Sequence, residues 1–331
     1  MKQIIKLFSL FFLILCLVAC SSDTNNSQDG QKVYNVEIIK QLDHSSLNEI
    51  SDAVVAQLNK IAKENDIVIN INVDSGQNDP SVLKQIADQA IANEVDAIVP
   101  IATLAAQIAT SSAANSQTPI IFAAISSPED ADLNDINYVT GTSDGLNTPF
   151  IIDMILLTKK DIKKVGLLYS LSEANSKRPI EEAKKILESK NIEFVEAVGN
   201  NNDEIITAAS VLIAENVEAV FTPTDNVVMA AELAIAPLFA EKGIAHFAGA
   251  DSFITSGGFA TCGVNYTQLG IKTADICYDV LTNGFNDIKG YHLMENNIIT
   301  VNKETAKMLK IDPNIFLQIG ETIVEVETVG E

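Results

Sequence analysis

Val95-Asp96-Ala97-Ile98-Val99 and Val217-Glu218-Ala219-Val220-Phe221 are one pattern written twice, at an offset of 122. Each follows a segment of helical period, is short and apolar, and reads as a central strand of a parallel sheet. The same offset carries Thr103 onto Asp225. Outward from this pair the duplication continues. Residues 119–126 align with 244–251 at an offset of 125, with Phe122 on Phe247 and Ser126 on Asp251. The loop Asp43-His44-Ser45-Ser46 corresponds to Glu173-Ala174-Asn175-Ser176.

Between these anchors apolar runs alternate with helix-period segments. Strands are expected at 33–39, 67–73, 97–101 and 120–125, with helices at 47–65, 80–93 and 104–115. The order restarts at Lys164, with strands at 165–169, 194–198, 219–223 and 245–250. Asp79 before Pro80 is a helix start, as is Asn147-Thr148-Pro149. Alternation of this kind implies βαβ units. The expected fold is α/β, two similar doubly wound parallel-sheet domains. Polar residues follow the first, third and fourth strands of each half, and ligands bind at the carboxyl ends of such strands. Two of these edges facing each other make a cleft. Otherwise the same Ser, Thr, Asn and Asp are ordinary helix caps.

Composition narrows the chemistry. The 331 residues hold 44 Asp and Glu against 22 Lys and Arg, a net charge of −22, so nucleic acid is not an expected partner. Trp is absent and the one arginine is Arg178, which excludes indole stacking and clusters of Arg forks. Four cysteines at 16, 20, 262 and 277 lack metal or redox spacing, and neither metal nor cofactor is expected. Cys262 and Cys277 are either a disulfide or two buried thiols. His44, His246 and His292 are far apart in sequence. His246 lies in an apolar strand as a core residue, and His44 sits at the cleft edge, where it could donate to a ligand.

Lys2 and Lys6 precede an apolar run at 7–19, the layout of a secretory signal, too short for a spanning helix at ~20 residues. Leu17-Val18-Ala19-Cys20 resembles a bacterial lipobox, with Cys20 as the lipidated residue. Residues 1–19 are then a signal peptide and 20–31 a polar tether.

A lipobox, a tether and two tandem α/β halves resemble the solute-binding lipoproteins of ABC importers, with the type I periplasmic-binding fold. Ala102 to Gln107, Val139 to Asp144, Glu173 to Ser176, Pro223 to Asn226, His44, Asp251 and Leu269 to Ala274 are similar to the tryptophan/tyrosine/phenylalanine-binding (TrpX-like) branch. The resemblance implies an extracytoplasmic protein anchored to the cell membrane by lipid. It would bind an aromatic amino acid and serve an ABC permease with its ATPase subunits. It also implies a three-crossing hinge, with domain one at 32–144 plus 265–290 and domain two at 145–264 plus 291–331. An amino acid needs acceptors for its ammonium, for which Asp225 and Asp251 are the candidates. Its carboxylate needs donors, expected from the loops at Thr103, Ser126, Ser143 and Asn175-Ser176; His44 and Asn226 complete the expected set. Phe122, Phe253 and Tyr266 are candidate ring contacts or core residues.

Two other readings stand beside it. Gly141-Thr142-Ser143-Asp144-Gly145 fits G-x-S-x-G, and Asp251 and His292 follow in the order of a serine hydrolase. The helix start at Asn147 lies too far beyond Ser143 for a nucleophile elbow. The same fold could also hold a sugar or nucleoside, though those sites use aromatic stacking and Arg forks.

Overall fold

The computed structural model describes residues 31–286, 290–295, 298–320 and 322–329. The expected signal peptide and Cys20 lie outside them, as does the tether apart from Gln31. No helix among the described residues is long and apolar enough to cross a membrane.

The first sheet is built from β1 (Val33–Lys40), β2 (Val68–Ser75), β3 (Ala97–Ile101), β4 (Ile120–Phe122) and β5 (Val139–Ser143), with α1 (Ser45–Glu64), α2 (Pro80–Ala92) and α3 (Thr103–Ser112) between them. The chain then passes through α4 (Thr148–Thr158) into the second sheet. This holds β6 (Lys164–Tyr169), β7 (Glu193–Val198), β8 (Ala219–Thr222), β9 (Ala245–Ala248) and β10 (Ala260–Gly263). Helices α5 (Ala174–Ser189), α6 (Asn202–Ala214), α7 (Asn226–Glu241) and the short α8 (Asp251–Thr255) connect those strands. α9 (Tyr266–Asn283) returns to pack on α1, and β11 (His292–Leu293) joins the first sheet. β12 (Ile298–Asn302), α10 (Lys303–Leu309), a 3-10 turn (Pro313–Gln318) and β13 (Ile323–Val326) close the second.

The orders are β2-β1-β3-β4-β5-β11 and β7-β6-β8-β9-β10-β12-β13. Their first five strands follow the same path, which is the duplication seen in the sequence. All pairings are parallel except β10 with β12. This is the α/β fold of the type I periplasmic-binding proteins. The chain passes between the sheets three times: after Ser143, between Gly263 and Tyr266, and after Leu293. The first sheet therefore reaches Leu293, beyond the expected 265–290. A two-residue edge strand has no periodicity to betray it.

Helices cover both faces, so the central strands are buried and mostly apolar; β3, β4, β8 and β9 have no exposed residue. α1 buries Leu47, Ile50, Val54, Leu58 and Ile61 along one stripe, each worth about 1.5–3 kcal/mol. Asp79 caps α2 by accepting from the amides of Ser81 and Val82, and Asn147 caps α4 by accepting from Phe150. Cys262 and Cys277 are separate buried thiols, pushed by burial up to about 11 and about 12. His246 is a core residue, bonded to Thr222 Oγ1 at 2.8 Å and Glu232 Oε1 at 2.9 Å.

Candidate functional site

The strand ends of the two sheets meet around a small cavity lined from both sides. The loop after β1 brings His44, Ser46 and Leu47, and the loop after β3 brings Ala102 and Thr103. β4 and β5 contribute Ala124, Ser126 and Asp144. From the second sheet come Asn175 after β6, Thr224 to Asn226 after β8, and Ala250 with Phe253 after β9. Met229 of α7 and Tyr266 of α9 complete the wall.

Hydrogen bonds run across the cleft. Gln41 Nε2 donates to Glu173 Oε1 at 2.7 Å, and His44 Nε2 lies 3.1 Å from Asn226 Oδ1. Ser126 Oγ lies 2.9 Å from Thr224 Oγ1, and the hydroxyls of Ser46 and Ser252 meet. Beside them Ala102 holds φ +76° and ψ 162°, a region that disfavours any side chain. That turn aims the start of α3 at the cavity.

Asp144 is the acid this geometry singles out. It is 4% exposed and accepts from Ser126 Oγ at 3.0 Å and from Tyr266 Oη at 3.0 Å. Burial raises its pKa, while those two hydroxyls favour its charged form. Its own backbone amide is a third donor, and of roughly four acceptor positions one is left for a further donor. Tyr266, buried beside this acid, is pushed well above the usual phenol range.

Asp225 lines the cavity as well, but its oxygens are engaged differently. Oδ2 accepts from Ser170 N at 2.7 Å and Ser176 Oγ at 2.6 Å, and Oδ1 accepts from the amides of Val227 and Val228. All four positions go to capping α7 and tying it to the loop after β6, so the capping reading holds for this residue. Burial raises its pKa. Ser176 acts through Asp225 and does not line the cavity. Asp251, at the start of α8, is not among the residues lining this cavity; it bonds Thr300, and its Oδ1 is buried without a partner. Burial lifts it to about 6.

Ser143 lies outside the cavity, its Oγ accepting from Gly145 N at 3.2 Å. Asp251 belongs to α8 and His292 is exposed on β11, so Ser143, Asp251 and His292 do not form a triad. Phe122 is core, while Phe253 and Tyr266 reach the cavity. Arg178 is on the surface with Glu182 at 3.1 Å. Thr103, Ser126, Asn175, Asn226 and His44 stand where the strand-end argument put them.

The sequence reading missed Asp144 as a site residue, together with Thr224 and Met229. A third repeat would have found Asp144: Tyr138-Val139-Thr140 aligns with Phe259-Ala260-Thr261 and carries Asp144 onto Asn265, next to Tyr266. These fifth strands mix Thr, Gly and Cys with apolar residues, so hydrophobicity alone does not reveal the pair.

A family profile described as ABC transporter substrate binding protein matches residues 35–319. The chain belongs to this family. This substrate-binding protein is 28% identical over 295 residues to the tyrosine-binding protein of Clostridioides difficile (strain R20291), spanning 87% of this chain and 84% of that one. Two solved structures share its fold at a TM-score of 0.80 and 24% identity, each covering 88% of this chain and 100% of the other. One is a conserved domain protein of Vibrio cholerae, the other an ABC domain from Streptococcus pneumonia in complex with L-Trp. Membership makes this a substrate-binding protein and not an enzyme.

Proposed function

We propose that the protein captures an aromatic amino acid in the cavity, closes on it by hinge motion, and delivers it to an ABC permease while anchored outside the cytoplasm through Cys20. The observation that carries the amino acid reading is Asp144, a buried acid whose two side-chain partners are hydroxyls and which has no cation beside it among the described residues. A carboxylate left without a cation in a closed cavity is costly, and a ligand ammonium offsets that cost. Asn175 Oδ1, buried without a partner, offers a second acceptor. The Thr103 hydroxyl and the first turn of α3, apart from the Leu104 amide that Gln41 takes, supply donors for a carboxylate without any arginine. Leu47, Met229 and Phe253 form apolar walls for a ring. The name of the C. difficile relative supports the aromatic class. The two moving bodies are 32–144 with 265–293, and 145–264 with the remainder.

Calorimetric titration with L-tyrosine, L-tryptophan and L-phenylalanine, and with their deaminated acids, tests this. Loss of the amino group is expected to weaken binding at least ~10-fold, as is Asp144→Asn. Equal binding of intact and deaminated ligands would transfer the cavity to a sugar or nucleoside.

A further inference from the structure

We infer that His44 reads the ligand through Nδ1 as a hydrogen-bond acceptor, so that the protein selects an aromatic amino acid whose side chain carries an N–H or O–H donor. This rests on the amino acid reading above and narrows it to ligands of the phenol or indole kind.

The argument is a chain of forced orientations. The backbone N–H of Leu104 donates to Gln41 Oε1 at 3.1 Å, which turns Gln41 Nε2 toward Glu173 Oε1 at 2.7 Å. The other oxygen, Oε2, accepts from Asn226 Nδ2 at 2.7 Å. An amide that gives its nitrogen to a carboxylate presents its oxygen elsewhere, and Asn226 Oδ1 faces His44 Nε2 at 3.1 Å. An amide oxygen only accepts, so Nε2 carries the proton and Nδ1 carries a lone pair. Burial holds His44 down at about 4, so the ring is neutral at ordinary pH. Nδ1 is shut off from solvent and has no partner.

That lone pair belongs beside the ligand's side chain. Leu47 stands three residues beyond His44 at the start of α1, and Met229 three beyond Asn226 in α7; all four line the cavity. Asn175 Oδ1, the other bare acceptor here, belongs to a different set. Asn175 Nδ2 donates to the Thr224 carbonyl at 2.7 Å, and the Thr224 hydroxyl meets Ser126, which bonds Asp144. It serves the ammonium, and His44 serves the ring. A site that hydrogen-bonds a ligand O–H or N–H rejects the analogue lacking it, because its own buried polar group is then left unpaired.

The test is titration of wild type, His44→Phe and Glu173→Gln with L-tyrosine, L-tryptophan and L-phenylalanine, with long-range 1H–15N spectra of the wild-type imidazoles. Wild type is expected to bind tyrosine or tryptophan at least ~10-fold more tightly than phenylalanine. His44→Phe should abolish that preference, leaving tyrosine and tryptophan bound no more tightly than phenylalanine. Glu173→Gln, whose amide lets Asn226 turn over, should shrink the preference without touching the cavity wall. The spectra should place the His44 proton on Nε2. Equal wild-type binding of the three, a preference that survives His44→Phe, or a proton on Nδ1 overturns this inference alone. If none of the three binds, the amino acid reading falls and takes it along.

Discussion

Glu37 is a charged residue placed where a parallel sheet normally has an apolar one. It is 7% exposed on β1, opposite Asn72 of β2, whose Nδ2 meets both of its oxygens at 3.0 and 3.1 Å. Burial is the main cause that lifts its pKa from 4.5 to about 7, with Asp74 adding to it. Glu173 is lifted to about 7 as well, by burial and then by Asp225. Because the folded protein holds these protons more tightly than the unfolded chain, their stabilising contribution is complete below about pH 4.5 and is lost as pH rises through 7. His44, depressed to about 4, works in the opposite sense but only below its ordinary 6.5. Urea unfolding at pH 6 and pH 8 should therefore show lower stability at pH 8, with Glu37 a main contributor. In Glu37→Gln the difference should shrink to roughly half, and a pH slope unchanged by that substitution would refute the assignment. At this scale the sequence was legible only in part. Strand-end polarity found Thr103, Ser126 and Asn226, but an acid that caps a helix and an acid that faces a ligand look alike in sequence. Asp225 and Asp144 were distinguished by counting their donors.

At the scale of elements, the contact of α9 with α1 decides where the cavity's first wall stands. α1 begins with Ser46 and Leu47 at the cleft, and α9 begins with Tyr266. The helices approach so closely that a Cβ on Gly270 would lie 2.7 Å from Ala53 Cβ and 2.7 Å from the Ile50 carbonyl oxygen. A backbone oxygen cannot swing aside, so Gly270→Ala must push the helices apart. Overpacking of this kind costs about 1–3 kcal/mol. Thermal unfolding of Gly270→Ala should begin several degrees lower, and ligand affinity should fall with it because His44 directly precedes α1. An unchanged midpoint would mean that α9 has slack against α1. The helix itself was readable from the Leu269-to-Ala274 pattern. Its return to the first sheet was expected only from family resemblance, because a helical stripe does not name the surface it covers.

For the whole molecule, the amino terminus and the folded body make one prediction together. If Cys20 is the acylated residue, Cys20→Ala should release the protein from the membrane fraction and stop diacylglyceryl labelling; unchanged retention would defeat the anchor. The body itself has no membrane-spanning helix among its described residues, and its net charge of −22 disfavours anionic lipid surfaces. Sequence by itself determined the two-sheet α/β architecture, because the strand period, the helix period and the recurrence of their order at offsets of 122 and 125 are local properties of the chain. It determined that the strand ends carry polar residues, and that no arginine cluster or indole could build the site. Only the tertiary structure decided which of those residues face the cavity. Asp251 and Ser143 do not line it, while Asp144 and Tyr266 come together across 122 positions of chain. The same is true of His44, whose ring orientation is set by Asn226 at a separation of 182. Side-chain direction at a strand end depends on partners from the opposite sheet, and two sheets meeting across a cleft leave no periodicity in a single sequence.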